Sequence, residues 1–186
     1  MAINSKVLEW VFRLYVFIFL SIYGFGKLAG GQFYRKGQLP PEVGQLTLEQ
    51  ADSFSLGWTF MGHSYGYILA IGSVQLLGAF MLLFNKTKLL GTLVLLPIMV
   101  NIVLFDIVFL EPKGALVNAS IYLLMLLGIL WFNRLAIQKA LKTITTLNST
   151  STPRFFNHGW KFILLVLLLM AGIFFIDQTL VGLVGR

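Results

Sequence analysis

Residues 57–84 read GWTFMGHSYGYILAIGSVQLLGAFMLLF, and this stretch decides the fold class. It is long enough to cross a bilayer, since about 20 apolar residues in a helix span the hydrocarbon core. It also carries groups that lipid does not solvate: His63, Ser64, Tyr67, Ser73 and Gln75. Glycines stand at 57, 62, 66, 72 and 78, where leucine would serve a helix facing only lipid. Small residues let neighbouring helices approach, and polar groups inside a membrane need protein partners or water. The stretch therefore reads as one transmembrane helix inside a bundle, its polar groups turned toward its neighbours.

The composition agrees. The chain has 186 residues, 58% hydrophobic and 11% charged, with a mean hydropathy of +0.85; soluble domains carry about 25% charged residues. This length suits one bundle of four to six spans without a separate soluble domain. The net charge of +7 reads as loop topology rather than a nucleic-acid surface, because lysine and arginine collect in cytoplasmic loops. The absence of cysteine excludes disulfides, thiol redox chemistry, iron–sulfur ligation and cysteine-based zinc sites.

A first span is predicted over residues 7–25, uncleaved because no A-x-A site follows it. Glu9 and Arg13, four residues apart, read as an interfacial ion pair with a snorkelling arginine. Tyr15, Phe19, Tyr23 and Lys27 recur every four residues, an aromatic stripe that either packs in the core or lines a ligand. Residues 27–56 form a long loop broken by Gly30-Gly31 and Pro40-Pro41. Within it, Thr47 to Gln50 fits a capping box and predicts a short surface helix. Trp58 marks the interface.

A basic turn, NKTK, separates the second span from a third over residues 89–110, in which Pro97 should bend the helix. After EPKG comes a fourth span over 115–132, with Asn118 and Ser120 near its start. Residues 133–159 are the most polar: an amphipathic basic segment with Leu135, Ile137, Ala140 and Leu141 toward lipid, then an NSTSTP linker. A last apolar stretch, 160–186, forms a fifth span that ends at Asp177 or continues to Val184. Three parts follow: a bundle over 1–132 with its extracytoplasmic loop, a cytoplasmic segment over 133–159, and a C-terminal helix.

With five spans, Lys6, Lys86, Lys88, Arg134, Lys139, Lys142, Arg154 and Lys161 share one side. The positive-inside rule places that side, and the N-terminus, in the cytoplasm, with the C-terminus outside. A bacterial inner membrane is the expected location. Lys27, His63, Asp106 and Asn118 then fall at one depth in the outer half of the bilayer, beneath the long loop. Buried ionisable groups there are costly and mark candidate sites. A Lys27–Asp106 pair with His63 nearby, flanked by Tyr23 and Tyr67, outlines a pocket open to the outside. The same residues also read as interfacial polar groups or interhelical glue. Gln75 and Asn101, deeper, read as interhelical hydrogen bonds.

No metal is indicated: His63 and His158 fall on opposite sides of the membrane, which also excludes bis-histidine haem ligation. There is no phosphate loop, no G-x-S-x-G and no paired-carboxylate pattern. Inverted repeats and paired broken helices, the marks of many transporters, are not apparent.

Residues 10–130 resemble the DoxX-like membrane family. The likeness rests on a first helix ending in FGKLAG at 25–30, the second helix already quoted, and LGTLVLLPIMVNIVLFDIVF at 90–109. It implies a four-helix membrane bundle; the fifth span departs from that pattern. The family's roles include a small subunit of a terminal quinol oxidase, a dehydrogenase maturation factor and a receptor-assembly chaperone, and no catalytic set carries over. The expectation is a non-enzymatic accessory or assembly factor with a pocket for a lipid, quinone or small ligand. Its partners would be the bilayer and a membrane complex, not nucleic acid. The alternatives are a quinone-linked oxidoreductase subunit and a small transporter.

Overall fold

The computed structural model describes residues 5–110, 113–147 and 159–184. Their regular structure is helical throughout: α1 (Ser5–Ala29), α2 (Pro41–Gly44), α3 (Ser53–Gly62), α4 (Tyr65–Met81), α5 (Lys88–Phe109), α6 (Lys113–Phe132), α7 (Arg134–Leu147) and α8 (Trp160–Val184). Among the described residues, α1, α5 and α6 are each long and apolar enough to cross a membrane; α3 and α4 together make a fourth if taken as one broken span. The chain is a membrane protein of helical-bundle type.

The chain divides into two compact units between Ile137 and Gln138, within α7. In the first, α1 packs on α4 and α6, and α5 packs on the same two helices, which closes a ring of four. Val16, Leu20, Leu82, Leu95, Met99, Leu126 and Ile129 fill its core. The opposite faces are apolar too: Leu77, Leu93, Leu104 and Leu124 stand exposed. Such a surface would drive a soluble protein to aggregate, but here lipid covers it. Since lipid is as apolar as leucine, close packing holds the ring together. A Cβ added to Gly91 would lie 2.7 Å from the Gly78 carbonyl oxygen, and one on Gly78 2.8 Å from Leu95. The glycines at 57, 72 and 78 mark sites of close approach; Gly66 does not, since a Cβ there would meet only its neighbour Ser64. The aromatic stripe of α1 is a packing face: Tyr15, Phe19 and Tyr23 lie 6.1, 5.8 and 6.4 Å from the ring of Tyr122 on α6.

Three expectations need correction. The stretch 57–84 is not one helix; α3 and α4 meet at 88° across His63 and Ser64. Gly62 ends α3, and Ser64 starts α4 by accepting a hydrogen bond from the Tyr67 N–H. The segment from Thr47 to Gln50 is a turn, not a helix, although the Gln50 side chain does accept from the Thr47 N–H as a capping box requires. Arg13 does not snorkel. It is 1% exposed, and its Nε donates to the Leu82 carbonyl at 2.6 Å and its Nη1 to Asn85 at 2.7 Å. Glu9 lies 3.9 Å from Arg13 but 2.5 Å from Lys88. Arg13 thus ties α1 to the Leu82 carbonyl at the end of α4, where a helix leaves acceptors unpaired, and to the Asn85 side chain just beyond it.

Pro97 sits inside α5, which continues through it. The start of the loop is tied to both α1 and α3. Arg35 Nη2 donates to the carbonyls of Leu28 and Lys27 at the end of α1, and the Tyr34 N–H donates to the Trp58 carbonyl of α3.

In the second unit, α7 from Gln138 onward carries exposed Lys139, Leu141, Lys142 and Ile144, in keeping with an amphipathic helix. α8 is apolar and mostly exposed from Trp160 to Ile176. The NSTSTP linker, His158 and the side chain of Asp177 lie outside the described residues.

Candidate functional site

The ring of four helices, with α3 and the loop after α1, lines a cavity of about 430 Å³, within the usual range for small-molecule sites. α1 contributes Leu20, Tyr23 and Lys27; α4 contributes Tyr67, Ile71 and Gln75. Asn101, Phe105 and Asp106 come from α5, and Asn118, Ala119 and Tyr122 from α6. The break after α3 has a consequence here. By turning 88°, α3 brings Trp58 and Met61 to the cavity, which a straight helix would carry away from it.

Two charges sit in these walls. Lys27 is 5% exposed and Asp106 6%. No ion pair within 4.0 Å joins them among the described residues, so the expected direct bridge is not formed. The Lys27 ammonium instead lies 5.9 Å above the ring of Phe33. Phe33 holds a left-handed backbone, φ +68°, a conformation that costs an L-residue about 1–2 kcal/mol. Its ring packs edge-on against Trp58 at 5.2 Å, between the lysine and α3.

Gln75 is fully buried. Its Nε2 donates to the Leu20 carbonyl at 2.8 Å, the expected interhelical bond. Among the described residues its Oε1 has no partner. Leu20 and Lys27 are seven residues apart on α1, so about 10 Å of helix rise separates the amide end of the cavity from the charged end. Asn101 is exposed and makes no interhelical hydrogen bond among the described residues.

His63 lies elsewhere. It lines a separate depression with Arg35, Lys36, Gln38, Gly62 and Tyr65. Of the residues singled out from sequence, Tyr23, Lys27, Tyr67, Asp106 and Asn118 share the main cavity and His63 does not.

The chain is 35% identical over 129 residues to the uncharacterized protein YwoB of Bacillus subtilis (strain 168), a match covering 69% of this chain and 79% of that one. It belongs to the YwoB family. No protein-family model and no solved structure matches the chain.

Among the cavity residues that sequence reasoning missed are Phe33, Met61, Phe105 and Tyr122. Phe33 lies in a loop whose backbone course no periodicity reveals. Tyr122 carried a signal, as a tyrosine one helical turn past Asn118. Among the described residues no three His, Cys, Asp or Glu side chains gather.

Proposed function

We propose that this protein is a non-enzymatic accessory or assembly factor whose cavity holds a lipid, a quinone or another small ligand. The observation that carries this reading is the pairing of Lys27 and Asp106. Both are more than nine-tenths buried in one cavity, yet they do not close on each other. Two buried charges kept apart are costly unless something between them is bound. Nothing in the cavity has the form of a nucleophile with its base, which favours binding over catalysis.

In this reading the chain spans the membrane five times: α1, the broken α3–α4, α5, α6 and α8. The N-terminus is cytoplasmic and the cavity opens outward, as the distribution of lysine and arginine favours. The proposed setting is a bacterial inner membrane, and the proposed likeness is to the DoxX-like bundle with one added span.

A second reading, a quinone-linked redox subunit, draws on Tyr23 and Tyr122, whose rings lie 6.4 Å apart on the cavity wall. Native mass spectrometry of the gently solubilised protein, with an absorption spectrum of the same sample, tests both. Any stoichiometric lipid, quinone or other small molecule supports the pocket, and a bound quinone whose absorption changes when substrate is added supports the redox reading. Repeated purification with nothing bound overturns the pocket and leaves Lys27 and Asp106 as packing groups.

A further inference from the structure

Lys27 and Asp106 stand at the same end of the ring. Lys27 lies in the last turn of α1 and Asp106 in the last turn of α5, and both line the cavity. Among the described residues neither side chain makes a hydrogen bond or an ion pair. Neither charged head is among the side-chain nitrogens and oxygens that are sealed from solvent without a partner. The ammonium and the carboxylate are thus open to whatever fills the cavity.

The walls change character with depth. Seven residues before Lys27, α1 brings Leu20 to the cavity; seven residues before Asp106, α5 brings Met99. Both are 1% exposed, and Gln75 at the Leu20 level has no exposed surface to offer a ligand. A charged end and an apolar end therefore lie about 10 Å apart along two helices at once.

This arrangement narrows the occupant. A ligand with a single charge would leave either Lys27 or Asp106 uncompensated in a medium of low dielectric. A wholly apolar ligand would leave both. Water would serve the two heads, but an apolar space stays dry and takes apolar groups.

We propose that the cavity takes a zwitterionic amphiphile, with a primary ammonium on the Asp106 carboxylate and a phosphate or carboxylate on the Lys27 ammonium. Ligand and wall charges then cancel in pairs through charge-assisted hydrogen bonds, and the apolar remainder of the ligand lies toward Leu20 and Met99. This inference rests on the reading of the cavity as a binding site and names its class of ligand. The same head chemistry occurs in a free zwitterion and in the headgroup of an ethanolamine phospholipid.

The test uses the full chain in a nonionic detergent, titrated in native mass spectrometry with three probes. These are dioleoyl phosphatidylethanolamine, dioleoyl phosphatidylglycerol and glycerophosphoethanolamine. The two lipids share chains and phosphate, and the first alone carries an ammonium. It is expected to bind about tenfold or more tightly than the second, because a site built for a polar group rejects the analogue lacking it. In the Asp106→Asn variant that preference should disappear. If the variant does not fold, the comparison of the two lipids on the unaltered protein still decides. Equal affinity for the two lipids, or a preference unchanged in a folded Asp106→Asn variant, overturns the zwitterion while the pocket stands. Glycerophosphoethanolamine binding as tightly as the ethanolamine lipid overturns the amphiphile and leaves a free zwitterion as the ligand. Binding of none of the three overturns this inference; the pocket falls with it where the protein also leaves the cell with nothing bound.

Discussion

Gly62 lies directly against the carbonyl of Tyr34, so close that a Cβ on the glycine would overlap the carbonyl oxygen. The Tyr34 N–H in turn donates to the Trp58 carbonyl at 3.2 Å. The loop after α1 and the end of α3 are thus fitted together, backbone to backbone, over the cavity. Unlike a side chain, a carbonyl inside such a junction cannot rotate away. Gly62→Ala should therefore reach the upper end of the overpacking range, about 3 kcal/mol. A thermal melt in detergent reads this, and an unchanged midpoint would mean that the loop is not seated on α3.

Arg13 fixes the other end of the ring through two hydrogen bonds that a guanidinium can make at once, to Leu82 and Asn85. A lysine offers one compact ammonium and cannot reproduce that fork. Arg13→Lys should cost about 1.5–3 kcal/mol, the usual loss for a hydrogen bond involving a charged group. Glu9 keeps Lys88 in the variant, so the loss reports the α1–α4 tie rather than a stranded carboxylate. A variant as stable as the parent would put Arg13 back at the headgroups.

Lys27 and Asp106 face one cavity without touching, and a double-mutant cycle separates shared from independent environments. Lys27→Met and Asp106→Asn each leave the opposite charge buried alone; together they leave none. The double variant should be less destabilised than the sum of the two, with a coupling of about 0.5–3 kcal/mol. Additive losses would show that each charge is accommodated separately.

The helices were legible because lipid demands long apolar runs, and α1, α5 and α6 follow them to within a few residues. Depth was legible for the same reason. Counting rise along straight helices brings Lys27, His63, Asp106 and Asn118 to one level, and three of these, Lys27, Asp106 and Asn118, line the cavity. That counting failed for His63, because the polar dip at His63 and Ser64 reads equally well as buried polar groups on one continuous span. The local signal was chemical instead: a glycine, then a serine three residues before the N–H it accepts from. Arg13 was misread because Glu9, four residues away, offered a sufficient local partner. Its real partners, Leu82 and Asn85, are 69 and 72 residues distant. A tie across the bundle to a backbone carbonyl leaves no trace in spacing.

Phe33 permits a comparison that isolates backbone strain. Its φ of +68° is unfavourable for any residue with a Cβ. Phe33→Ala and Phe33→Gly both remove the ring from Trp58 and Lys27, but only glycine relieves the backbone. The glycine variant should be the more stable of the two by about 1 kcal/mol. Equal stabilities would show that the loop can relax to a negative φ once the ring is gone.

Filling the cavity tests whether it is used. Ala119 lies on its α6 wall, 5% exposed, one helical turn before Tyr122. A phenylalanine there has room to enter the space of about 430 Å³ rather than press on a packed neighbour. Ala119→Phe should therefore avoid the overpacking loss of about 1–3 kcal/mol that such a change brings in a filled core. If the cavity holds a ligand, the variant should purify without it, because ring and ligand compete for the same volume. The paired readouts are the thermal midpoint and native mass spectra of the two proteins. A stable variant that still carries its ligand would place the binding site elsewhere. A variant that melts early would show that the space inside the ring is smaller than its walls imply.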